Sequence, residues 1–176
     1  MRDDALMRHR RAILGSLGFL LVGPVLEMGV GPYLLSDGFS RGDGALDGAL
    51  AVVAGIALIA LGALVVAACF MRFVADGSGT PSPLAPPVEL VARGPYRYVR
   101  NPMYVATAAV IAGEGLLLAR PVLVVAAAVY VAAMALLAYR VEEPLLARRF
   151  GAAWERYRLA VPGWVPRLTP WRGDGS

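Results

Sequence analysis

Two short stretches of the sequence combine side chains that could bind an ionic ligand at a membrane surface. GPYRYVRNPMY, residues 94–104, places two Arg and three Tyr directly before a long apolar stretch. Asn101 is a good helix N-cap and Pro102 suits the first helical position, so a helix is predicted here whose free N–H groups attract an anion such as a carboxylate. YRVEEP places Glu142 and Glu143 where another apolar stretch ends. The plainer alternatives are a helix start with membrane-anchoring arginines and a solvated helix end.

The residue inventory excludes several common kinds of site. Cys69 is the only cysteine, so the chain has no disulfide framework and no cysteine metal site. His9 is the only histidine, which excludes a histidine-based zinc or iron cluster. No G-x-G-x-x-G follows a strand, so a Rossmann-type cofactor fold is not expected. Neither a metal nor a nucleic-acid partner is predicted.

Apolar helices must position these residues. The chain is 58% hydrophobic and 17% charged, whereas ordinary soluble domains are about 25% charged. Its long apolar stretches are residues 12–35, 46–70, 102–119 and 121–139. Because a bilayer core needs about 20 apolar residues per helix, each stretch is predicted to cross the membrane, the last two as a tight helical hairpin. The predicted fold class is an all-α polytopic membrane protein with one domain over residues 1–176.

The arginines predict how the chain is oriented. All 17 basic residues are Arg, a bias typical of a GC-rich, bacterial genome. Fifteen of them lie in the N-terminal tail, in the 71–101 loop or in the 140–176 tail, and only Arg41 and Arg120 lie on the other side of the spans. By the positive-inside rule the arginine-rich side is cytoplasmic. The prediction is a multi-pass protein of the cytoplasmic (inner) membrane with both termini in the cytoplasm.

Two cytoplasmic segments complete the predicted architecture. The 71–101 loop contains GSGTPSPLAPP, whose prolines and glycines oppose helix formation. Within the 140–176 tail, residues 144–160 predict one helix with an aromatic face opposite its arginines, typical of a helix in the lipid headgroup zone. Because two short antiparallel helices return the chain to the side it left, Tyr104 and Glu142 are expected at similar depth on neighbouring helices.

These motifs resemble the integral-membrane methyltransferases of the isoprenylcysteine carboxyl methyltransferase and phospholipid N-methyltransferase superfamily. That family's pattern is similar to G-x-Y-x-x-x-R-H-P-x-Y, a short helical hairpin, a Glu-Glu pair, then F-G-x-x-Y-x-x-Y and V-P. The matching positions here are Gly94, Tyr96, Arg100, Asn101, Pro102, Tyr104, Glu142, Glu143, Phe150, Gly151, Trp154, Tyr157, Val161 and Pro162. The resemblance covers about residues 88–166, and the first two spans match it only in being apolar.

The resemblance implies S-adenosylmethionine as methyl donor, bound on the cytoplasmic face, and a lipophilic acceptor arriving from the bilayer. The positions that it assigns to the cofactor are Val88, Glu89, Leu90, Val91, Tyr96, Asn101, Pro102, Met103, Tyr104 and Glu142. The donor's carboxylate suits the helix start, its hydroxyl or ammonium groups suit Glu142, and its sulfonium and adenine suit tyrosine rings. The nearest guanidinium groups for a substrate belong to Arg97 and Arg140.

Three positions depart from the family pattern and bear on the acceptor. Asn101 replaces a histidine, Ala106 replaces a small residue that is often glycine, and Ala138 stands where the isoprenylcysteine branch places a substrate-binding arginine. Arg140 lies two positions further on, which is another face of the helix. A phospholipid amine, a prenylated or other lipophilic carboxylate, and a small thiol therefore all stay open as acceptors.

The acceptor decides whether a base is needed. A carboxylate or thiolate needs none, whereas an amine must lose a proton, which Glu143, a tyrosine or water could take. No catalytic residue is assigned, and Glu143 and Arg140 are the candidates. Glu27 and Glu114 lie within spans, and counting the helical rise places both in the outer half of the bilayer, away from the cofactor. They are expected to pair or to reach the outer interface, without a part in methyl transfer.

One rival function comes from another class of protein. A non-catalytic four-span scaffold or a transporter subunit would also account for the apolar stretches and the arginine bias. It would not account for a set of ordered motifs between residues 88 and 166. Methyl transfer is therefore the favoured function.

Overall fold

The computed structural model describes residues 23–44, 46–75 and 90–173, and every regular element among them is helical. Two π-helical turns, Leu26–Val30 and Ala138–Glu142, and one 3₁₀ turn, Gly94–Arg97, accompany the α-helices. The α-helices are α1 (Gly31–Leu35), α2 (Ala49–Ala75), α3 (Pro102–Leu117), α4 (Pro121–Leu137), α5 (Glu143–Phe150) and α6 (Ala152–Ala160). The all-α fold class is confirmed for the described residues.

Two helices are long and apolar enough to cross a membrane by length and composition. They are Ala49–Arg72, with a mean hydropathy of 2.8, and Pro121–Phe150, with 2.5. The apolar helix α3 is shorter, with 16 residues, or about 24 Å. The first predicted span, 12–35, is described only from residue 23 onward. These helices indicate a membrane protein, and the count of four spans stays a prediction.

The tight hairpin predicted between the third and fourth apolar stretches is present. α3 ends at Leu117 and α4 begins at Pro121. Between them Ala119 takes a left-handed backbone conformation with φ 51°, and the N–H of Arg120 donates to the carbonyl of Gly115 over 2.8 Å. That bond satisfies a carbonyl that the helix end would otherwise leave unpaired. Proline suits the first position of α4, because its missing N–H would have no partner there.

The chain folds as two compact units. The hairpin unit comprises residues 24–66 and 103–145, and so holds α1, most of α2, most of α3, and α4. The tail unit comprises, among the described residues, 23, 67–75, 90–102 and 146–173.

Within the hairpin unit, α2 and α3 approach each other backbone to backbone. A Cβ on Gly55 would lie 2.6 Å from the carbonyl oxygen of Gly113, and a Cβ on Gly113 would lie 2.8 Å from that of Gly55. A Cβ on Gly62 would likewise lie 2.7 Å from the carbonyl oxygen of Ala106. Small residues are common where transmembrane helices cross, because they let the backbones come close. A buried core of Ile111, Leu123 and Ala127 joins α3 to α4.

Two arginines fasten the loop between α1 and α2 to the hairpin turn. Arg41 donates to the carbonyl oxygen of Leu117 over 2.5 Å and pairs with Asp47. Arg120 donates to the carbonyl oxygen of Ser40 over 3.0 Å. The loop and the turn therefore lie together, and they hold the two arginines that the sequence predicts on the far side from the other fifteen.

The tail unit has a core of its own, formed by Trp154, Tyr157 and Val161, each at most 3% exposed. The partly buried residues that pack against this core are Leu90, Ala92, Leu146, Ala147, Phe150, Ala160 and Trp171. The aromatic face predicted on the 144–160 segment thus packs mainly against residues of its own unit.

The helix predicted over residues 144–160 is instead interrupted. Helical structure continues from Pro121 through the π-helical turn into α5, so no new helix begins at Pro144. The break comes at Gly151, whose φ of 51° lies in the left-handed region that glycine adopts without a steric penalty. α6 then runs from Ala152 to Ala160.

Candidate active site

Tyr104 of α3 and Glu142 of the second π-helical turn are in direct contact within the hairpin unit. The Tyr104 hydroxyl donates a 2.6 Å hydrogen bond to Oε1 of Glu142, and both side chains are half-buried. Hydroxyl-to-carboxylate bonds of this length are among the stronger ones in proteins. The two residues were expected at similar depth on neighbouring helices, and the structure brings them into contact. Oε2 of Glu142 has no hydrogen-bond partner among the described residues, so it can accept from a ligand.

The π-helical turn Ala138–Glu142 determines which side chains at the end of α4 face inward. A π turn carries one more residue than an α turn, so it changes the direction of the side chains beyond it. Ala138 is 3% exposed, whereas Arg140 and Tyr139 are exposed. Arg140 therefore lies on another face than Ala138, as expected, and does not take the inward position of the family's arginine.

A second carboxylate lies close to Tyr104. Tyr130 of α4 donates a 2.9 Å hydrogen bond to Oε2 of Glu27, and its ring contacts the Tyr104 ring edge-on, with 6.4 Å between centroids. The expectation that Glu27 lies away from the predicted cofactor contacts is therefore wrong. Counting the helical rise from residue 12 assumes a straight span, and it does not say in which direction the Glu27 side chain points.

Glu114 differs from Glu27 in its surroundings. Its side chain is half-buried, and its Oε2 is buried without a hydrogen-bond partner in the described part of the chain. It lies ten residues beyond Tyr104 on α3, or about 15 Å along the helix. The structure therefore does not bring Glu114 to the Tyr104–Glu142 pair.

In the tail unit, C-terminal carbonyl groups hold the segment that precedes α3. The Asn101 side-chain Nδ2 donates to the carbonyl oxygen of Gly163 over 3.1 Å, and its main-chain N–H donates to the same oxygen over 3.3 Å. Arg97 Nε donates to the carbonyl oxygen of Trp171 over 2.5 Å. Asn101 stands at the family's histidine position, and Arg97 is predicted to bind substrate. Both residues take part in holding the C-terminal segment.

The Tyr157 hydroxyl makes a third contact of this kind. It donates a 2.7 Å hydrogen bond to the carbonyl oxygen of Tyr96, so the backbone of Tyr96 is fixed while its side chain lies half-buried. Burial raises the pKa of Tyr157, an effect that the positive charge of Arg100 partly opposes. Arg100 also lies over the Trp154 ring, 5.5 Å from its centroid, which is a cation–π arrangement.

The other predicted site residues have varied environments. Val88 and Glu89 lie outside the described residues. Leu90 and Val91 are half-buried, and Leu90 packs against the tail-unit core. Pro102 and Met103, at the start of α3, are buried. The remaining candidate base, Glu143, is half-buried at the first position of α5 and has interaction partners.

The hairpin unit offers groups that fit parts of S-adenosylmethionine. Glu142 holds one carboxylate oxygen against Tyr104 and keeps the other for a hydroxyl or ammonium donor. The half-buried Tyr104 ring presents the kind of surface that attracts a sulfonium cation. Among residues 23–44, 46–75 and 90–173 no group of three or more potential metal ligands occurs. The Glu142 carboxylate and the Tyr104 ring are groups that suit an organic cation.

Pairing was one of two expectations for Glu27, but its partner Tyr130 was not predicted. Both residues are polar positions within apolar stretches, and such residues in spans are usually functional or paired. That signal identifies each residue separately. It does not identify the pair, because their contact depends on a π-helical turn that composition does not predict.

Comparisons with known proteins give the family. The family model for phospholipid methyltransferases matches residues 50–153, which is more than half of the 176-residue chain and includes Tyr104, Tyr130 and Glu142. Glu27 lies outside the matched residues. No curated protein and no solved structure matches the chain. The ordered motifs from Tyr96 to Val161 are similar to those of membrane methyltransferases, and with the family match they show that this chain belongs to the phospholipid methyltransferase family.

Proposed function

We propose that the protein transfers a methyl group from S-adenosylmethionine to a lipophilic acceptor at the cytoplasmic face of the membrane. The observation that carries the proposal is the hydrogen bond between Tyr104 and Glu142, inside the segment that the family model matches. The family itself indicates a methyltransferase acting on phospholipid-like substrates.

S-adenosylmethionine supplies an electrophilic methyl group on a sulfonium. In the hairpin unit, Glu142 would accept a hydrogen bond from a hydroxyl or ammonium group of the cofactor, and Tyr104 orients that carboxylate. In the tail unit, the carbonyl contacts of Asn101 and the backbone contact of Tyr96 order the segment that the resemblance assigns to the cofactor. Alignment of the reacting groups can supply about 7–11 kcal/mol of the barrier reduction in such transfers.

The proposed topology has four spans with both termini in the cytoplasm of a bacterial cell. Arg41 and Arg120 are the two arginines predicted to face outward. They support the topology, because contacts of both residues join the loop of Arg41 to the hairpin turn of Arg120. The tail helices α5 and α6 carry exposed arginines, which suit the anionic headgroups of a cytoplasmic leaflet.

The proposed acceptor is the amine of a phospholipid that reaches the site laterally from the bilayer. Ala138 is buried where a carboxylate-binding arginine would stand, and Arg140 is exposed on another face. Arg97 uses its Nε to hold the carbonyl of Trp171. These arrangements leave an acceptor carboxylate without its usual partner, and the family model favours a phospholipid.

Binding of S-adenosylhomocysteine, the demethylated product, tests the proposal. The full chain in nanodiscs should bind it in calorimetry, and Glu142→Gln should weaken binding about tenfold or more, because a hydrogen bond to a charged group is worth about 1.5–3 kcal/mol. Tyr104→Phe should weaken binding less, since the carboxylate stays but loses its orienting partner.

Glu155→Gln is the matched control, because Glu155 is exposed in the tail and its ion pair among the described residues is local, with Arg158. It should bind like the wild type. Absence of binding by the wild-type protein would remove the enzyme and favour the scaffold, whereas normal binding by Glu142→Gln would remove the residue assignment.

A further inference from the structure

The carboxylate of Glu27 occupies an unusual place for a charged group. It lies in the π-helical turn Leu26–Val30 and is half-buried, and its Oε2 accepts the hydrogen bond from Tyr130. No cationic side chain among the described residues forms an ion pair with it. Among the described residues, the hydroxyl dipole of Tyr130 is thus what balances the charge.

Glu27 is one end of a series of four polar side chains in the hairpin unit. Tyr130 joins it to the Tyr104 ring, and the Tyr104 hydroxyl joins Glu142. The titratable groups of the described residues that interact with the Glu27–Tyr130 pair are Tyr104 and Glu142. One carboxylate thus lies on each side of the tyrosine pair, and only Glu142 belongs to the motifs of the family.

Each of the two carboxylates lies in a π-helical turn. Glu27 belongs to Leu26–Val30 and Glu142 to Ala138–Glu142, the two π segments of the described chain. Such turns are rare and occur frequently at functional sites. Placing a carboxylate within a membrane helix also costs free energy, so such residues are usually functional or paired. An anionic side chain held at this cost beside the cofactor residue Tyr104 suits a cationic ligand.

We propose that Glu27, held by Tyr130, binds the protonated amine of the acceptor lipid and takes up its proton before methyl transfer. The inference rests on the proposed function and adds to it the residue that receives the acceptor. It reverses the sequence-based expectation that Glu27 has no part in methyl transfer. Glu142 serves the cofactor on the other side of the tyrosine pair.

The chemistry balances without a further reactant. One N–H bond of the acceptor ammonium breaks, its electron pair stays on nitrogen, and the proton forms an O–H bond on the Glu27 carboxylate. The free amine then attacks the methyl carbon, an N–C bond forms, and the electron pair of the broken C–S bond remains on the departing sulfur as a thioether. The methylated nitrogen carries the positive charge afterwards.

The test compares Glu27→Gln with the wild type in nanodiscs that contain phosphatidylethanolamine. At pH 7 we expect turnover of the variant to fall about 100-fold or more, as for loss of a general base. The deficit should shrink as pH rises, because the fraction of free amine grows about tenfold per pH unit below the amine pKa. Tyr130→Phe should show a smaller loss, since the carboxylate remains.

Binding gives a readout that does not depend on turnover. With S-adenosylhomocysteine present, affinity for a short-chain phosphatidylethanolamine should fall about tenfold in Glu27→Gln, because the variant loses a bond between charged groups. Affinity for S-adenosylhomocysteine itself should not change. Glu114→Gln is the matched control, another glutamate in an apolar helix, and should keep wild-type turnover and binding.

The outcomes separate this inference from the function on which it rests. A wild-type protein that binds no S-adenosylhomocysteine would refute the proposed function. A wild-type protein that methylates phosphatidylethanolamine, together with an equally active Glu27→Gln, would overturn the role of Glu27 alone. A deficit that is constant across pH, or one accompanied by lost S-adenosylhomocysteine binding, would make Glu27 a structural residue and would also overturn it.

Discussion

At the scale of single residues, three tyrosine hydroxyls make the contacts on which the proposed site depends. Tyr104 donates to Glu142, Tyr130 to Glu27, and Tyr157 to the carbonyl of Tyr96. A tyrosine can bury its ring and still present a donor at its tip. These hydroxyls thus hold two carboxylates and one backbone carbonyl in place.

Tyr157→Phe should destabilise the protein by about 1 kcal/mol, because the carbonyl of Tyr96 loses its donor while the ring packing is kept. The free energy of unfolding in detergent measures this change. Tyr139→Phe is the control, since Tyr139 is 69% exposed, and its effect should stay within about 0.5 kcal/mol. Equal stabilities of the two variants would show that the Tyr157 hydroxyl contributes nothing to the fold.

At this scale the sequence predicted a similar depth for Tyr104 and Glu142, and it did not identify Tyr130 as the partner of Glu27. Tyr104 and Glu142 flank a hairpin whose two ends can be recognised from Pro102 and from the Glu-Glu pair, so their meeting follows from geometry. Glu27 meets Tyr130 across a span that the apolar pattern delimits only loosely. Side-chain direction at that position depends on a π-helical turn, and no compositional signal predicts one.

At the scale of elements, close contacts at glycines join two helices, and residues with a left-handed backbone end helices. Gly55 and Gly113 bring α2 and α3 together, which makes the hairpin unit a firm support for the carboxylates. The turn at Ala119 and the break at Gly151 end helices at residues with a left-handed backbone. The sequence predicted the hairpin because proline and a charged residue interrupt the apolar pattern there. It did not predict the break at Gly151, because the aromatic spacing continues across it.

Gly55→Ala and Gly113→Ala should each destabilise the protein by about 1–3 kcal/mol, because the added methyl group overlaps a backbone carbonyl oxygen that cannot turn away. Thermal unfolding in detergent measures the loss. Gly29→Ala is the matched control: Gly29 is also helical, nothing lies within 4 Å of its added Cβ, and alanine favours helix by about 0.5–1 kcal/mol. Variants at Gly55 and Gly113 as stable as Gly29→Ala would contradict the close helix crossing.

At the scale of the whole molecule, the contacts of two arginines agree with the topology that the arginine distribution predicts. The sequence assigns Arg41 and Arg120 to the far side by charge counting alone, and the structure ties the loop of one to the turn of the other. The count of four crossings stays a prediction. α3 has only 16 residues, which is near the lower limit for a span, and length and composition alone do not establish that it crosses.

Single cysteines test the proposed topology in intact cells, after Cys69→Ala removes the one natural thiol. Asp43→Cys lies in the exposed loop before α2 and should react with a membrane-impermeant maleimide added outside. Ala153→Cys lies exposed on α6 and should react only after permeabilisation. Three proposed spans, α2, α3 and α4, separate the two positions, so they must face opposite sides.

Retained methyl transfer in both variants would establish that the labelled protein is folded. Reaction of both cysteines from outside, or of neither before permeabilisation, would mean an even number of crossings between them. The arginine-rich tail would then lie on the same side as the loop of Arg41, and the proposed topology would be refuted.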